Sequence, residues 1–376
     1  MRNILITGGA GFIGSNLTIK LVSHGYNVTI LDNLSKQIHG ENQNSTLYKS
    51  TNGISRFILG DVCNKLDWEK AIKGQDVIIH FAAETGIGQS MYEISRYNKV
   101  NIIGASHLLN ILANKEHSVK KIIVGSSRAI YGEGKYYCNN DGVIYPNRRN
   151  ESDMAKGIYN PFCNICNNEL EPQATDENSI INPSSIYGIT KQHQEQMFLL
   201  IGKALNIPAV SLRYQNVYGP GQSLLNPYTG ILSIFSTRIL NGNNIDIYED
   251  GKESRDFVYI NDVVKATILA LEKQEANHQI FNVGSGIATT VLEVAEKLKE
   301  LYKSDIKIIV NEKYRLGDIR HNYADLTKIK NKLGFVPDVD FDTGIKNFVN
   351  WVKKQKIQSD KYEITVDELE RKGLLR

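Results

Sequence analysis

Cysteine is scarce, with four in 376 residues. That excludes a disulfide-stapled secreted scaffold and leaves thiols or metal ligands in a reducing compartment. Charge of one sign is also lacking: a formal net charge of +3 gives no push toward nucleic acid or a membrane surface, and neither is expected as a partner. No apolar run approaches the roughly 18 to 20 residues that span a bilayer. The first strand starts at Arg2, leaving no room for a signal peptide, so a cytoplasmic protein is expected. Internal repeats and low-complexity tracts are missing too. What is present is an ordinary globular share of 41% hydrophobic residues and a length beyond one typical domain, which suggests a cofactor domain and a smaller substrate domain.

The most informative segment lies at the start. An apolar strand, Ile4 to Thr7, runs into Gly8-Gly9-Ala10-Gly11-Phe12-Ile13-Gly14, and a helical pattern opens at Phe12 and Ile13. Glycines on a strand-to-helix turn form a dinucleotide grip: Gly8 permits the tight turn, Gly11 lets the backbone approach a pyrophosphate, and Gly14 allows close packing of the helix. Eighteen residues past Gly14 a second strand ends on Asp32, followed by Asn33. A carboxylate there accepts hydrogen bonds from ribose hydroxyls and repels a 2′-phosphate, which favours NAD over NADP.

Further apolar stretches at Arg56 to Leu59, Val77 to Phe81, Lys121 to Val124, Ala209 to Tyr214 and Gln279 to Val283 alternate with helical periodicity, as at Asn101 to Leu112 and Gly188 to Leu205. This alternation predicts a doubly wound α/β fold with a parallel sheet covered on both faces. A Rossmann domain over 1–214 and a smaller mixed α/β C-terminal substrate domain over 215–376 are expected, with some segments of the latter returning to the first. Helices are expected near Asp262 to Lys273 and Thr290 to Tyr302. The polar tract 133–181 is too long for an ordinary connection and reads as a dedicated insertion. Charges at helical spacing over 356–376 predict a solvated terminal helix rather than part of a site.

Tyr187 and Lys191 stand four apart, which brings both side chains to one face of a helix. A neighbouring ammonium lowers a phenol pKa, so Tyr187 could serve as a general base while Lys191 holds a nicotinamide ribose. Strand Lys121 to Val124 delivers Ser126 and Ser127 at its carboxyl end, where α/β sheets bind ligands. Ser127 is the candidate for a second hydrogen bond to the reacting oxygen; strand-end capping is the alternative for the pair.

Together these residues resemble the extended short-chain dehydrogenase/reductase family, and within it the NAD-dependent nucleotide-sugar epimerases and dehydratases. The resemblance runs along nearly the whole chain. It takes in the glycine turn, Asp32, Gly60-Asp61-Val62, His80-Phe81-Ala82-Ala83, the Ser127, Tyr187, Lys191 set, Arg213 to Pro220 and Arg255 to Ile260. It implies that Asp61 and Val62 lie beside the adenine and that Phe81, Ala82 and Ala83 run along NAD. It also implies that Asn216, Arg255 and Arg320 touch the diphosphate of a nucleotide-diphosphate sugar, where guanidinium groups fork onto phosphate oxygens. For Arg320 a surface ion pair is the competing assignment. A homodimer through the helices near Asn101 to Leu112 and Gly188 to Leu205 is implied as well. The 4,6-dehydratases carry an acid and a base after the serine or threonine; here Arg128 and Ala129 stand there, and neither can expel a hydroxyl. The sequence therefore looks like a 4-epimerase, similar to the branch acting on dTDP-L-rhamnose, with Arg128 among the substrate contacts. Glu84, Thr85 and Gln89 are placed in the sugar pocket or, equally, in a helix-capping loop. The alternatives are a dehydratase, a dehydrogenase or 4-ketoreductase that releases its cofactor, and a non-catalytic NAD sensor.

Within the insertion, Cys163-Asn164-Ile165-Cys166 has the spacing that lets two thiolates meet one tetrahedral zinc, with Asn167 or Asn168 supplying the left-handed residue such a turn needs. Cys138 and Asp141 offer a thiol and a carboxylate at the spacing of a second ligand pair. A structural zinc and four unliganded groups are both open readings. Cys63 is expected to be packing only.

Overall fold

The computed structural model describes residues 1–40, 45–228 and 230–376. Seven runs rich in Ile, Val and Leu form one parallel sheet: β1 (Asn3–Thr7), β2 (Asn27–Asp32), β3 (Arg56–Leu59), β4 (Val77–His80), β5 (Lys121–Ser127), β6 (Ala209–Tyr214) and β7 (Ile280–Val283). Their order is β7-β6-β5-β4-β1-β2-β3. Residues on both faces of the central strands are buried, Ile4, Leu5 and Ile6 among them, because helices cover both sides and leave no solvent face to carry polar residues. The order reverses between β1 and β4, which opens a crevice at the carboxyl ends of β1, β4 and β5.

Helix Phe12–Ser23 leaves β1 through the glycine turn and packs on Ile260–Glu272. The long helix Ile186–Ala204 starts at Ser185, whose hydroxyl accepts from Gly188 N at 3.1 Å, satisfying a free amide of the first turn. The expected helix at Asn101 is built differently: Lys99–Gly104 is a π turn that runs into an α-helix over Ala105–Asn114. Thr290 and Glu293 close a capping box ahead of Val291–Tyr302, which fixes that helix start.

Beyond β6 the chain builds a mixed sheet from Asn216–Tyr218, Ser254–Tyr259, Ala288–Thr290 and His321–Asn322, and a parallel pair from Ile245–Ile247 and Ile308–Val310. The chain returns to the main sheet at β7 between these pieces. The polar tract over 133–181 is a small unit of its own, with Tyr136–Cys138 between Gly142–Ile144 and Glu171–Pro172. Among the described residues, no helix is long and apolar enough to cross a membrane.

One expectation needs correction. The terminal helix, Tyr362–Arg371, buries Thr365 and Leu369, and Leu375 bridges to Arg315. Tyr362, Thr365 and Leu369 follow helical spacing, so an inner face sits under the charged one.

Candidate functional site

The glycine turn is held by contacts that only glycine allows. Gly8 has φ +68°, and a Cβ on Gly14 would lie 2.3 Å from Gly8 O, so neither tolerates a side chain. Gly11 differs: its nearest neighbour to a built Cβ is Gly8 O at 3.2 Å, and the residue faces a cavity also lined by Gly8, Phe12, Ile13, Gly14, Asp32, Asn33, Val62, Phe81, Ala82 and Ala83. Asp32 at the end of β2 accepts from Ala10 N at 3.0 Å and Leu34 N at 2.9 Å. Burial raises its pKa, while those amides and His39, 3.8 Å away, act in the other direction. The buried Ser126 hydroxyl on the same wall has no hydrogen-bond partner among the described residues. An open glycine backbone, a ribose-competent carboxylate and an orphaned hydroxyl fit a dinucleotide. Asp61 is set back from the wall; it accepts from Asn33 Nδ2 at 3.3 Å and so steadies a residue that is on it.

A second cavity adjoins the first, and Phe12, Ile13, Thr85, Tyr187 and Gln222 line both. Tyr187 thus stands at their shared wall. Ser127, also on the second cavity, accepts from Ala129 N at 3.1 Å and stands beside the Tyr187 side chain, so it caps the strand end and lines the cavity at once. Burial raises the Tyr187 pKa; the Ser127 hydroxyl and the Arg128 charge oppose it. The expected lowering by Lys191 is absent, because that ammonium is turned to Gln194 Oε1 and burial pushes its own pKa down to about 7. Gln194 Nε2 in turn meets His80 Nε2 at 3.0 Å, and His80 Nδ1 meets Thr7 Oγ1 at 2.7 Å. Burial, with the Lys191 charge adding, holds His80 neutral with a pKa of about 3.

The outer cavity is lined by Arg128, Asn216, Arg255 and Asp318. Arg128 Nε donates to Asn216 Oδ1 at 3.1 Å, and burial together with the Arg255 charge lowers the Arg128 pKa to about 10. Burial works against the Asp318 carboxylate, yet Arg255, Arg315 and Arg128 hold its pKa at about 2. Arg320 is not at this cavity. Its guanidinium is spent on Asn160 Oδ1 at 2.8 Å, Glu249 at 3.0 Å and Asp250 at 2.7 and 2.8 Å, an internal ion-pair cluster in place of a ligand contact.

A third arginine on the cavity, beside Arg128 and Arg255, is Arg315, which the sequence reading missed; its buried Nε has no hydrogen-bond partner among the described residues. Tyr248 and Tyr362 lie beside it, joined hydroxyl to hydroxyl at 3.0 Å. Glu84 lines the inner cavity and pairs with Arg96 at 2.8 Å. Thr85 lines both cavities, and its carbonyl accepts from Tyr97 at 2.7 Å. Gln89 lines neither; it is buried against Gln37 and Tyr97. Cys138, Asp141, Cys163 and Cys166 come together elsewhere, their ligand atoms within 4.8 Å of one another.

A glycine turn under a parallel sheet, an acid closing β2 and a Tyr–Lys helix at the crevice define a dinucleotide-binding protein of the extended short-chain dehydrogenase/reductase type. The model of the NAD dependent epimerase/dehydratase family matches residues 4–151 and 165–284. The chain belongs to that family. It is 34% identical over 356 residues to a dTDP-L-rhamnose 4-epimerase of Burkholderia thailandensis, covering 94% of this chain and 96% of the relative. It is 32% identical to a putative UDP-glucose 4-epimerase of Methanocaldococcus jannaschii, covering 93% and 98%. Among solved structures, the UDP-glucose 4-epimerase of Thermotoga maritima with UDP-glucose superimposes with a TM-score of 0.76 at 32% identity, over 94% of this chain and 99% of that one.

Proposed function

We propose that this chain is an NAD-dependent nucleotide-sugar 4-epimerase working through a transient 4-keto sugar, with dTDP-L-rhamnose or a related 6-deoxy sugar as substrate. The observation that carries it is Tyr187 on the wall shared by the two cavities with Ser127 on the outer one, and Arg128 and Ala129 following the serine where elimination would need an acid and a base. Tyr187 takes the proton of the C4 hydroxyl, and Ser127 holds the same oxygen. When bound, NAD supplies a hydride acceptor and a positive charge on the tyrosine's cofactor side, which offsets the burial that raises its pKa. Lys191, released from Gln194, holds the nicotinamide ribose. Arg128, Asn216, Arg255 and Arg315 grip the diphosphate, leaving the sugar free to turn and present its other face.

The test is NMR and mass analysis of dTDP-, UDP-, GDP- and CDP-sugars incubated with the protein and catalytic NAD in deuterated water. C4 epimers free of deuterium support the reading. Water loss, solvent deuterium or stoichiometric NADH would replace it with a dehydratase, a carbanion epimerase or a dehydrogenase.

We further propose a homodimer through the helices that carry Ile103 and Leu200, which are 50% and 69% exposed, a cytoplasmic setting suited to free thiols, and a structural zinc in the insertion.

A further inference from the structure

The part of the insertion around the cysteines has only a small core, apart from the Met154 and Tyr159 contacts with Tyr314. Its core is Tyr136, Cys138, Ile144, Cys163 and Leu170, with Cys166 packed against them, and units this size usually need a disulfide or a metal as a staple. The four candidate ligand atoms are already arranged as if around one point. Cys138 Sγ lies 3.4 Å from Cys166 Sγ, and Asp141 Oδ2 lies 3.4 Å from Cys138 Sγ and 3.2 Å from Cys163 Sγ. Tetrahedral zinc, with Zn–S of about 2.3 Å and Zn–O of about 2.0 Å, sets ligand atoms roughly 3.5 to 3.8 Å apart. The backbone supports the same centre. Ile165 N donates to Cys163 Sγ at 3.4 Å, Asn167 N to Cys163 O at 3.0 Å, and Asn167 takes φ 60° to turn the chain.

The irregular segment leading into this knuckle is bonded to the arm of chain, residues 312–320, that carries Arg315 and Asp318 to the outer cavity. Asn160, three residues before Cys163, accepts from Arg320 Nε at 2.8 Å, and the Tyr159 carbonyl accepts from Arg149 at 3.4 Å. Arg149 donates to the Asp318 carbonyl at 3.0 Å, and the Arg320 carbonyl accepts from Arg255 at 2.9 Å. Two bonded steps therefore separate the Tyr159–Asn160 corner from Asp318 and Arg255.

We infer that Cys138, Asp141, Cys163 and Cys166 hold one zinc-type divalent ion, and that this ion sets ligand affinity by fixing the Tyr159–Asn160 corner against Arg149 and Arg320. With all four positions filled by protein the ion has no open site for substrate, so its role is to position the arm. The coupling half rests on the outer cavity being the nucleotide-sugar site; the metal half does not.

The full chain, produced with zinc supplied and purified without chelator, is expected to carry about one zinc per chain by elemental mass spectrometry. Cys166→Ser, at the most accessible thiol of the cluster, should lose it. In zinc-free protein, amide exchange over residues 312–320 should quicken by about tenfold, and UDP and dTDP should bind at least about fivefold more weakly by calorimetry. Asn160→Ala should keep the zinc and show the same two losses. A zinc-free wild type, or two fewer titratable thiols from a Cys138–Cys166 disulfide, would overturn the metal assignment. Zinc present but exchange over 312–320 unchanged on its removal would overturn the coupling. Failure of both nucleotides to bind the wild type would count against the site reading alone, since metal content and exchange still decide the rest.

Discussion

Arg128 Nε and Asn216 Oδ1 meet at 3.1 Å, tying the residue after Ser127 to the first strand of the mixed sheet. A buried cation held there by one amide has donors left for a ligand anion. Arg128→Met keeps much of the volume and removes the charge. Its affinity for nucleotide sugar should fall by about tenfold in calorimetry, roughly one charge-assisted hydrogen bond, with NAD affinity unchanged.

Tyr187→Phe removes the phenol proposed to take the proton of the sugar hydroxyl at the shared wall. Turnover should drop by about 10² to 10⁴, while the protein still binds NAD and melts as the wild type does. Retained activity would move the base elsewhere.

Lys191 gives a pH signature. Its folded pKa is about 7 against an ordinary 10.5, so between these values the unfolded chain holds a proton that the folded chain has lost. Stability due to this lysine therefore rises with pH across that window and is lowest below about pH 7. Lys191→Met should be more stable than wild type at pH 6 by about 1 to 2 kcal/mol. The gap should shrink toward pH 10, and turnover should be lost. Urea melts at the two ends of the window check it.

Arg315 and Arg320 separate ligand binding from stability. Arg315→Ala should raise the KM for nucleotide sugar by at least about tenfold with little change in melting. Arg320→Ala strips Asp250 of its guanidinium partner and leaves Glu249 with Arg149 alone, and should cost about 3 kcal/mol of stability. Equal effects from the two variants would mean that the guanidinium roles are wrongly divided.

Ending the chain after Gln358 removes Tyr362 from the cavity wall and the Leu375 bridge to Arg315. Nucleotide-sugar affinity should fall by about tenfold, close to the loss of one stacked aromatic with its neighbours. NAD affinity, set by the glycine turn and Asp32 on the inner cavity, should stay as it was.

The residues that could be read directly were those whose neighbours in sequence are also their neighbours in space. Gly8, Gly11, Gly14 and Asp32 sit on adjoining turns of one βαβ unit, and Tyr187 and Lys191 share one helix face, so local periodicity placed them. Asn167 was legible because a knuckle turn demands a left-handed residue. Arg315 was not: it stands five residues from Arg320, and which guanidinium faces the cavity is settled by Glu249 and Asp250 on a distant segment. The pKa of Tyr187 was misjudged for the same reason. Helical spacing places the lysine near the phenol, but Gln194, one turn further on, takes the ammonium. Tyr362 lay under a charged pattern whose inner face has only Thr365 and Leu369 for company.

The π turn at Lys99–Gly104 carries one more consequence. It places buried Asn101 so that its side chain accepts from Glu84 N at 2.8 Å and donates to Thr190 Oγ1 at 3.0 Å, while its carbonyl accepts from Gln194 at 3.1 Å. Each residue of an α-helix turns the chain by about 100°. Deleting one residue here would relax the wide turn into an ordinary helix and swing Asn101 away from all three partners. Among proteins built on this plan, that turn should vary in sequence more readily than in length.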